Sequence, residues 1–179
     1  MRVVLVRHGQ AASTWGTHDD PGLSDLGRAQ AEAMADALEP LGPLPVLVSP
    51  MLRTLETAAA LERRWNVAAV VEPAVGEIPK PEGDAVGGSW LRDVMNGTWA
   101  DSPGFAPWRA GVIGRLAQIT TDTIVVSHFV AINVAVGHAL GDDRAVCFMP
   151  QNCSRTLLEI DGDRFSVIEL GEQAAAQLT

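Results

Sequence analysis

Short runs of aliphatic and β-branched residues recur along the chain at Val3 to Val6, Val46 to Val48, Val67 to Val71 and Thr123 to Val126. Runs of this kind, with no polar residue alternating, predict strands buried on both faces. Between them the spacing turns helical. Ser24 can cap a helix from Asp25 to about Glu39, with Leu26, Ala29, Ala33, Met34 and Ala37 as its apolar stripe and Pro40 ending it. Pro50 suits the first turn of a second helix running through Arg64, and Pro107 that of a third ending near Gln118. A fourth helix follows Val126 and passes through Ile132, Val136 and Leu140 to Gly141.

Alternation returns from Arg155 to Ile160 and from Arg164 to Leu170, with Asp161-Gly162-Asp163 between as the turn of a hairpin. Strands alternating with helices predict an α/β fold: a three-layer α/β/α sandwich whose central sheet is mostly parallel, with a C-terminal antiparallel element. The segment from Glu72 to Ala106 breaks the rhythm with Pro73, Pro79, Pro81, Pro103 and several glycines. It reads as a surface insertion at 72–106 with one short helix around Trp90 to Asn96, set within a single domain spanning 1–179. From Glu172 onward the chain reads as a polar, Ala-rich tail.

A chain of 179 residues, 47% hydrophobic, is long enough for one core and short for two. No apolar run approaches the roughly 20 residues that span a bilayer, and Met1-Arg2 leads directly into a strand, so the expectation is a cytoplasmic protein with no membrane partner. Cys147 and Cys153 lack the C-x-x-C spacing of zinc or redox sites and read as buried thiols. A net charge of −9, without basic runs, argues against nucleic acid as a partner. An anionic substrate would need a local pocket of positive charge.

Such a pocket is suggested where strands end. In open α/β sheets ligands gather at the carboxyl ends of the strands, and the first strand ends on Arg7-His8-Gly9. Arginine offers a planar fork for phosphate, and a neutral imidazole nitrogen can attack phosphorus. Glycine permits a tight departure and a close backbone approach to a ligand. Alone, this triplet is equally a strand-end arginine and a satisfied polar histidine. The second strand, however, is followed by Ser49, Pro50 and then Arg53 in the first turn of a helix. The strand Thr123 to Val126 is followed by His128, opening a helix whose free N–H groups favour an anion.

Taken in order, "LVRHGQA", "LSDLGRAQAEAMADAL", "SPMLRTLETA", "VVSHFVAIN" and "PQNCSRTLLEI" resemble the nucleophile motif, first helix, arginine motif, second histidine motif and late strand of the histidine phosphatase superfamily, also called phosphoglycerate mutase-like. The resemblance spans nearly the whole chain. It implies a nucleophilic His8 that forms a phosphohistidine, and a clamp of Arg7, Arg53 and His128 on the phosphoryl oxygens. It also implies that no metal or other cofactor is used. Pre-placed cations suit the charge that phosphoryl transfer spreads over the equatorial oxygens. Glu77 matches the family position of the acid that protonates the leaving group and then activates water; Glu72, Glu82 and Asp84 are nearby rivals. Gln10 and Thr14 fall where relatives place polar phosphate or substrate contacts, although Gln10 equally suits stabilising its own loop.

Ser127 precedes His128 without a G-x-S-x-G elbow, and His18 and His138 have no ligand companions at metal spacing. The chain lacks the "ERHYG"-type segment of the mutase branch and carries "EIPKPEGDAVGG" instead. The expectation is a metal-independent phosphatase acting on a small phosphorylated substrate. A mutase and a non-catalytic phosphate-binding or regulatory protein are the alternatives. Trp90, Trp99, Phe105 and Trp108 concentrate in and beside the insertion, either as an apolar wall for the leaving group or as anchors of the loop onto the core.

Overall fold

The computed structural model describes residues 1–13, 20–81 and 89–174. Among these, β1 (Arg2–Arg7), β2 (Val46–Val48), β3 (Val70–Val71), β4 (Thr123–Ser127), β5 (Arg155–Asp161) and β6 (Arg164–Glu169) form one sheet in the order β3-β2-β4-β1-β5-β6. β4 pairs in parallel with both β1 and β2, and β2 with β3, while β5 runs antiparallel to β1 and β6. The helices are α1 (Asp25–Leu38), α2 (Leu52–Trp65), α3 (Trp90–Asn96), α4 (Ala106–Ala117) and α5 (Phe129–Leu140). Because strand side chains alternate, Val4 and Val6 pack with α1 and α2, whereas Val3 and Leu5 pack with α3, α4 and α5 on the other face. This is the expected three-layer sandwich, mostly parallel with antiparallel C-terminal strands.

The first helix starts where the capping residue predicts, Ser24 Oγ accepting from Gly27 N–H at 3.0 Å. Its buried face is different from the expected stripe. Gly27, Ala31, Met34, Ala35 and Leu38 face inward, while Leu26 is 55% exposed. Counting alanines misplaced the stripe because the contact is made by a residue with no side chain. A Cβ on Gly27 would lie 2.1 Å from the Gln10 carbonyl oxygen, and one on Gly9 would lie 2.6 Å from the Gly27 carbonyl oxygen. Gly9 therefore serves the packing of the loop against α1, where the sequence suggested close approach to a ligand.

The expected third strand, Val67 to Val71, shortens to Val70–Val71 and is not buried, with exposures of 60% and 51%. It lies at the sheet edge, after Asn66 has ended α2 in the left-handed conformation at φ 53°. Pro50 also precedes α2 instead of entering its first turn, since Met51 is the N-cap. The hairpin holds, with Asp161 paired to Arg164 and Gly162 at φ +56° in the turn. The described part of the tail is tied down: Gln151 N–H donates to the Glu172 carbonyl and Ala174 N–H to that of Met149. Cys153 is buried, whereas Cys147 is only half-buried, its thiol 3.3 Å from Asn133 Oδ1.

Within the insertion, α3 occupies the expected residues. Trp90 stacks on Phe105 with centroids 5.9 Å apart, Trp99 lies 6.1 Å from Trp108, and all four pack against the core beneath α4 and α5. Trp99 is 3% exposed, so it anchors the segment. No helix among the described residues is long and apolar enough to cross a membrane.

The tight contact at α1 gives a direct expectation. Gly27→Ala should lower stability by about 1–3 kcal/mol, the usual cost of overpacking, and shift the urea midpoint at unchanged slope. A midpoint within error of the wild type would show that α1 can retreat from the Gly9 loop without cost.

Candidate active site

β4 lies between β1 and β2, so the carboxyl ends of all three are level. His8 N–H donates to the Ser127 carbonyl at 3.0 Å and Ser49 N–H to the Val126 carbonyl at 3.1 Å. His128 follows directly as the N-cap of α5. Other bonds hold the loop after β1 from behind. Gly9 N–H donates to Thr57 Oγ1 at 3.0 Å, Asn152 Nδ2 donates to the His8 carbonyl at 2.9 Å, and Cys153 N–H donates to the Arg7 carbonyl at 2.9 Å. Thr57 and Asn152 had no assigned role in the sequence. Thr57 lies one helical turn after Arg53, a spacing that placed it on the same face.

The two imidazoles meet edge to face, with ring centroids 5.3 Å apart. His8 Nδ1 is 2.7 Å from the Gly9 carbonyl, which only accepts, so Nδ1 carries the proton and Nε2 the lone pair. Arg53 bridges both rings, donating from Nε to His8 Nε2 at 3.2 Å and placing Nη2 3.3 Å from His128 Nδ1. His8 is 7% exposed, Arg53 5% and His128 0%. Burial, aided by Arg53 and Arg7, pushes the His8 pKa down to about 3. Burial likewise lowers His128 well below the ordinary histidine value, helped by the neighbouring His8 and then Arg53 and Arg7.

Arg7 donates from Nη1 to the Pro150 carbonyl at 2.8 Å and lies over the Phe129 ring at 5.2 Å. Its Nε is buried with no hydrogen-bond partner among the described residues. Glu77 completes the group, with Oε2 3.7 Å from Arg53 Nη2 and 3.5 Å from His128 Nδ1. Its side chain is 9% exposed, and burial raises its pKa to about 7 against the opposing effects of Ile78 N–H, Arg53 and Arg7. Ser127 helps place it, because its Oγ donates to the Val75 carbonyl at 2.7 Å. The structure thus brings His8, Arg7, Arg53, His128 and Glu77 together.

Several other candidates are elsewhere. Glu72 is occupied by Arg115 Nε at 2.5 Å, which holds its carboxyl below the ordinary range. Gln10 Oε1 accepts from Ser24 Oγ at 2.8 Å, a contact that ties its loop to the start of α1. His138 packs edge-on against Phe165 at 4.8 Å. Thr14, His18, Glu82 and Asp84 lie outside the described residues. Asp20, which the sequence did not single out, caps α2 by accepting from Leu52 N–H at 2.8 Å and sits 3.9 Å from Arg53 Nη1.

The fold agrees with that of known proteins similar to this chain. The model of the histidine phosphatase superfamily, branch 1, matches residues 3–82. A glucosyl-3-phosphoglycerate phosphatase of Mycolicibacterium vanbaalenii is 43% identical over 67 residues, an alignment covering 35% of this chain and 30% of that protein. The uncharacterized protein Rv0525 of Mycobacterium tuberculosis is 30% identical over 97% of both chains. The solved structure of a mycobacterial glucosyl-3-phosphoglycerate phosphatase superposes with a TM-score of 0.77 at 24% identity, over 97% of this chain and 99% of that one. The chain belongs to the histidine phosphatase superfamily.

Burying His8 as a neutral ring makes stability depend on pH. Its folded pKa of about 3 lies below the unfolded value of 6.5, so the stabilisation is complete above pH 6.5 and declines as acid protonates only the unfolded chain. Between pH 6 and about 4.5, wild-type stability should fall more steeply than that of His8→Asn, by up to about 1.4 kcal/mol per pH unit in urea unfolding. Equal slopes would show that His8 titrates as an ordinary histidine.

Proposed function

We propose that the protein is a metal-independent phosphatase that hydrolyses a small organic phosphomonoester through a phosphohistidine on His8. The observation that carries this reading is the orientation of His8. Its Nδ1 proton is held by the Gly9 carbonyl, so Nε2 presents a lone pair to Arg53, and the low pKa keeps that pair available across the physiological range.

A bound phosphoryl group would take the Arg53 N–H bonds that now reach the two imidazoles, while Arg7 Nε, which has no partner among the described residues, supplies a further donor, and His128 Nδ1 another once it is protonated. These groups meet the charge on the equatorial oxygens without reorganising during the reaction. His8 Nε2 attacks phosphorus and the bond to the leaving oxygen breaks. Glu77, whose pKa near 7 keeps a proton available at neutral pH, gives it to that oxygen. In the second step the Glu77 carboxylate takes a proton from water, the oxygen attacks phosphorus, and phosphate leaves a neutral His8. A small phosphorylated substrate accords with the phosphatase relative from Mycolicibacterium vanbaalenii, which is named for glucosyl-3-phosphoglycerate.

Incubation with an aryl phosphate in the presence of EDTA should label His8, detected as acid-labile phosphohistidine by mass spectrometry, and His8→Ala should neither label nor turn over. Absence of label and turnover across a panel of phosphomonoesters would overturn the reading. Glu77→Gln should slow esters with poor leaving groups by about 10²- to 10⁴-fold and activated aryl esters far less. Equal slowing of both would remove Glu77 from the acid role.

A further inference from the structure

The face of His128 turned away from the phosphoryl site meets Ser49. Ser49 is fully buried at the end of β2, and its Oγ lies 2.7 Å from His128 Nε2. The other ring nitrogen, Nδ1, faces Arg53 Nη2 at 3.3 Å and Glu77 Oε2 at 3.5 Å. The remaining charged or titratable groups that bear on the ring are His8, edge to face from the end of β1, and Arg7 of β1. A guanidinium has donors only. Its contact with Nδ1 is a hydrogen bond only when Nδ1 bears a lone pair, so the ring's proton belongs on Nε2, pointing at Ser49. With the proton on Nε2, Ser49 Oγ accepts from His128, and it has a second lone pair for Met51 N–H at 3.5 Å.

We propose that Ser49 is a positioning residue: by accepting the Nε2 proton of His128 it reserves Nδ1, on the side of Arg53 and Glu77, for proton uptake when a phosphoryl group binds. The ligand in this inference rests on the phosphatase reading given above. When a phosphomonoester monoanion enters, its P–O–H proton passes to Nδ1. The oxygen keeps its electron pair, no other bond changes, and the imidazolium donates to the phosphoryl oxygen from Nδ1 and to Ser49 from Nε2. A fully buried imidazolium needs acceptors at both nitrogens, and Ser49 is the group placed to serve the second.

The full-length chain labelled with ¹⁵N-histidine tests this, with the His128 signals assigned by their loss in His128→Gln. In the free wild-type protein the expected spectrum has a protonated Nε2 and an unprotonated Nδ1, and addition of vanadate should protonate Nδ1 as well. The reverse tautomer in the free protein would overturn the proposal, and this arm is read without any turnover. Ser49→Ala should lose the single tautomer and lower kcat/KM for an aryl phosphate by about 10- to 100-fold, the scale of a lost hydrogen bond to a charged group. Its alkaline limb in kcat should move to lower pH, and Ser49→Thr should restore both. An Ala variant with the wild-type tautomer and pH profile would overturn the role of Ser49. A wild-type protein inactive on every phosphomonoester, yet with the expected tautomer, would instead overturn the phosphatase reading alone.

Discussion

Parallel pairing on both sides of β4 is the constraint on which the site depends. Arg7 is registered against Ser127 and Val48 against Val126, so the neighbouring strands run out of partners at nearly the same height. The backbone amides of His8 and Ser49 then attach to successive carbonyls of β4, and His128 continues the same strand into α5. His8, the ring of His128 beside it and the Ser49 hydroxyl behind that ring are positioned by sheet hydrogen bonds before any side-chain contact is considered. Side-chain geometry is refined from this base by Thr57, Asn152 and the carbonyl of Gly9.

Arg53 shows how the fold keeps a buried cation ready for an anion. An unpaired buried charge is costly, and here the nearest carboxylate contacts are loose, at 3.9 Å to Asp20 and 3.7 Å to Glu77. The closer partners are neutral imidazole nitrogens at 3.2 and 3.3 Å. Neutral acceptors satisfy the donors without cancelling the charge. A molecule with a net charge of −9 can therefore still present an attractive centre to phosphate.

The elements that sequence patterning located well are those with strong local signals. Ser24 marks the start of α1, Gly162 the hairpin, and the aliphatic runs of β1, β2 and β4 the centre of the sheet. The failures share a cause in tertiary contact. Val70 and Val71 look like buried strand residues, but β3 is the edge strand, and among the described residues no strand pairs with its outer side. The packed face of α1 is organised around Gly27, to which no hydrophobic pattern assigns weight. In the site, Arg7, His8, Arg53 and His128 were legible because each follows a buried strand or opens the helix after it. Glu77 came from the family resemblance, since an acid in an irregular segment has no periodic signal. Ser49 was visible only as a residue at a strand end, because its contact with His128 joins positions 79 apart in sequence.

The meeting of Gly9 with Gly27 has a consequence for how such a molecule can change over generations. With main chain against main chain, no side chain in between can be lengthened, trimmed or tilted to retune the distance. The loop at Gly9 and the start of α1 are in direct main-chain contact, so a mutation that shifts one bears on the other and on the adjacent His8. Among the described residues between Glu72 and Ala106, part of the attachment runs through side chains, the stacked rings and the Glu72–Arg115 ion pair, whose contacts can be adjusted by substitution. Side-chain joints of that kind can be retuned one residue at a time, whereas the glycine contact can change only by moving the backbone.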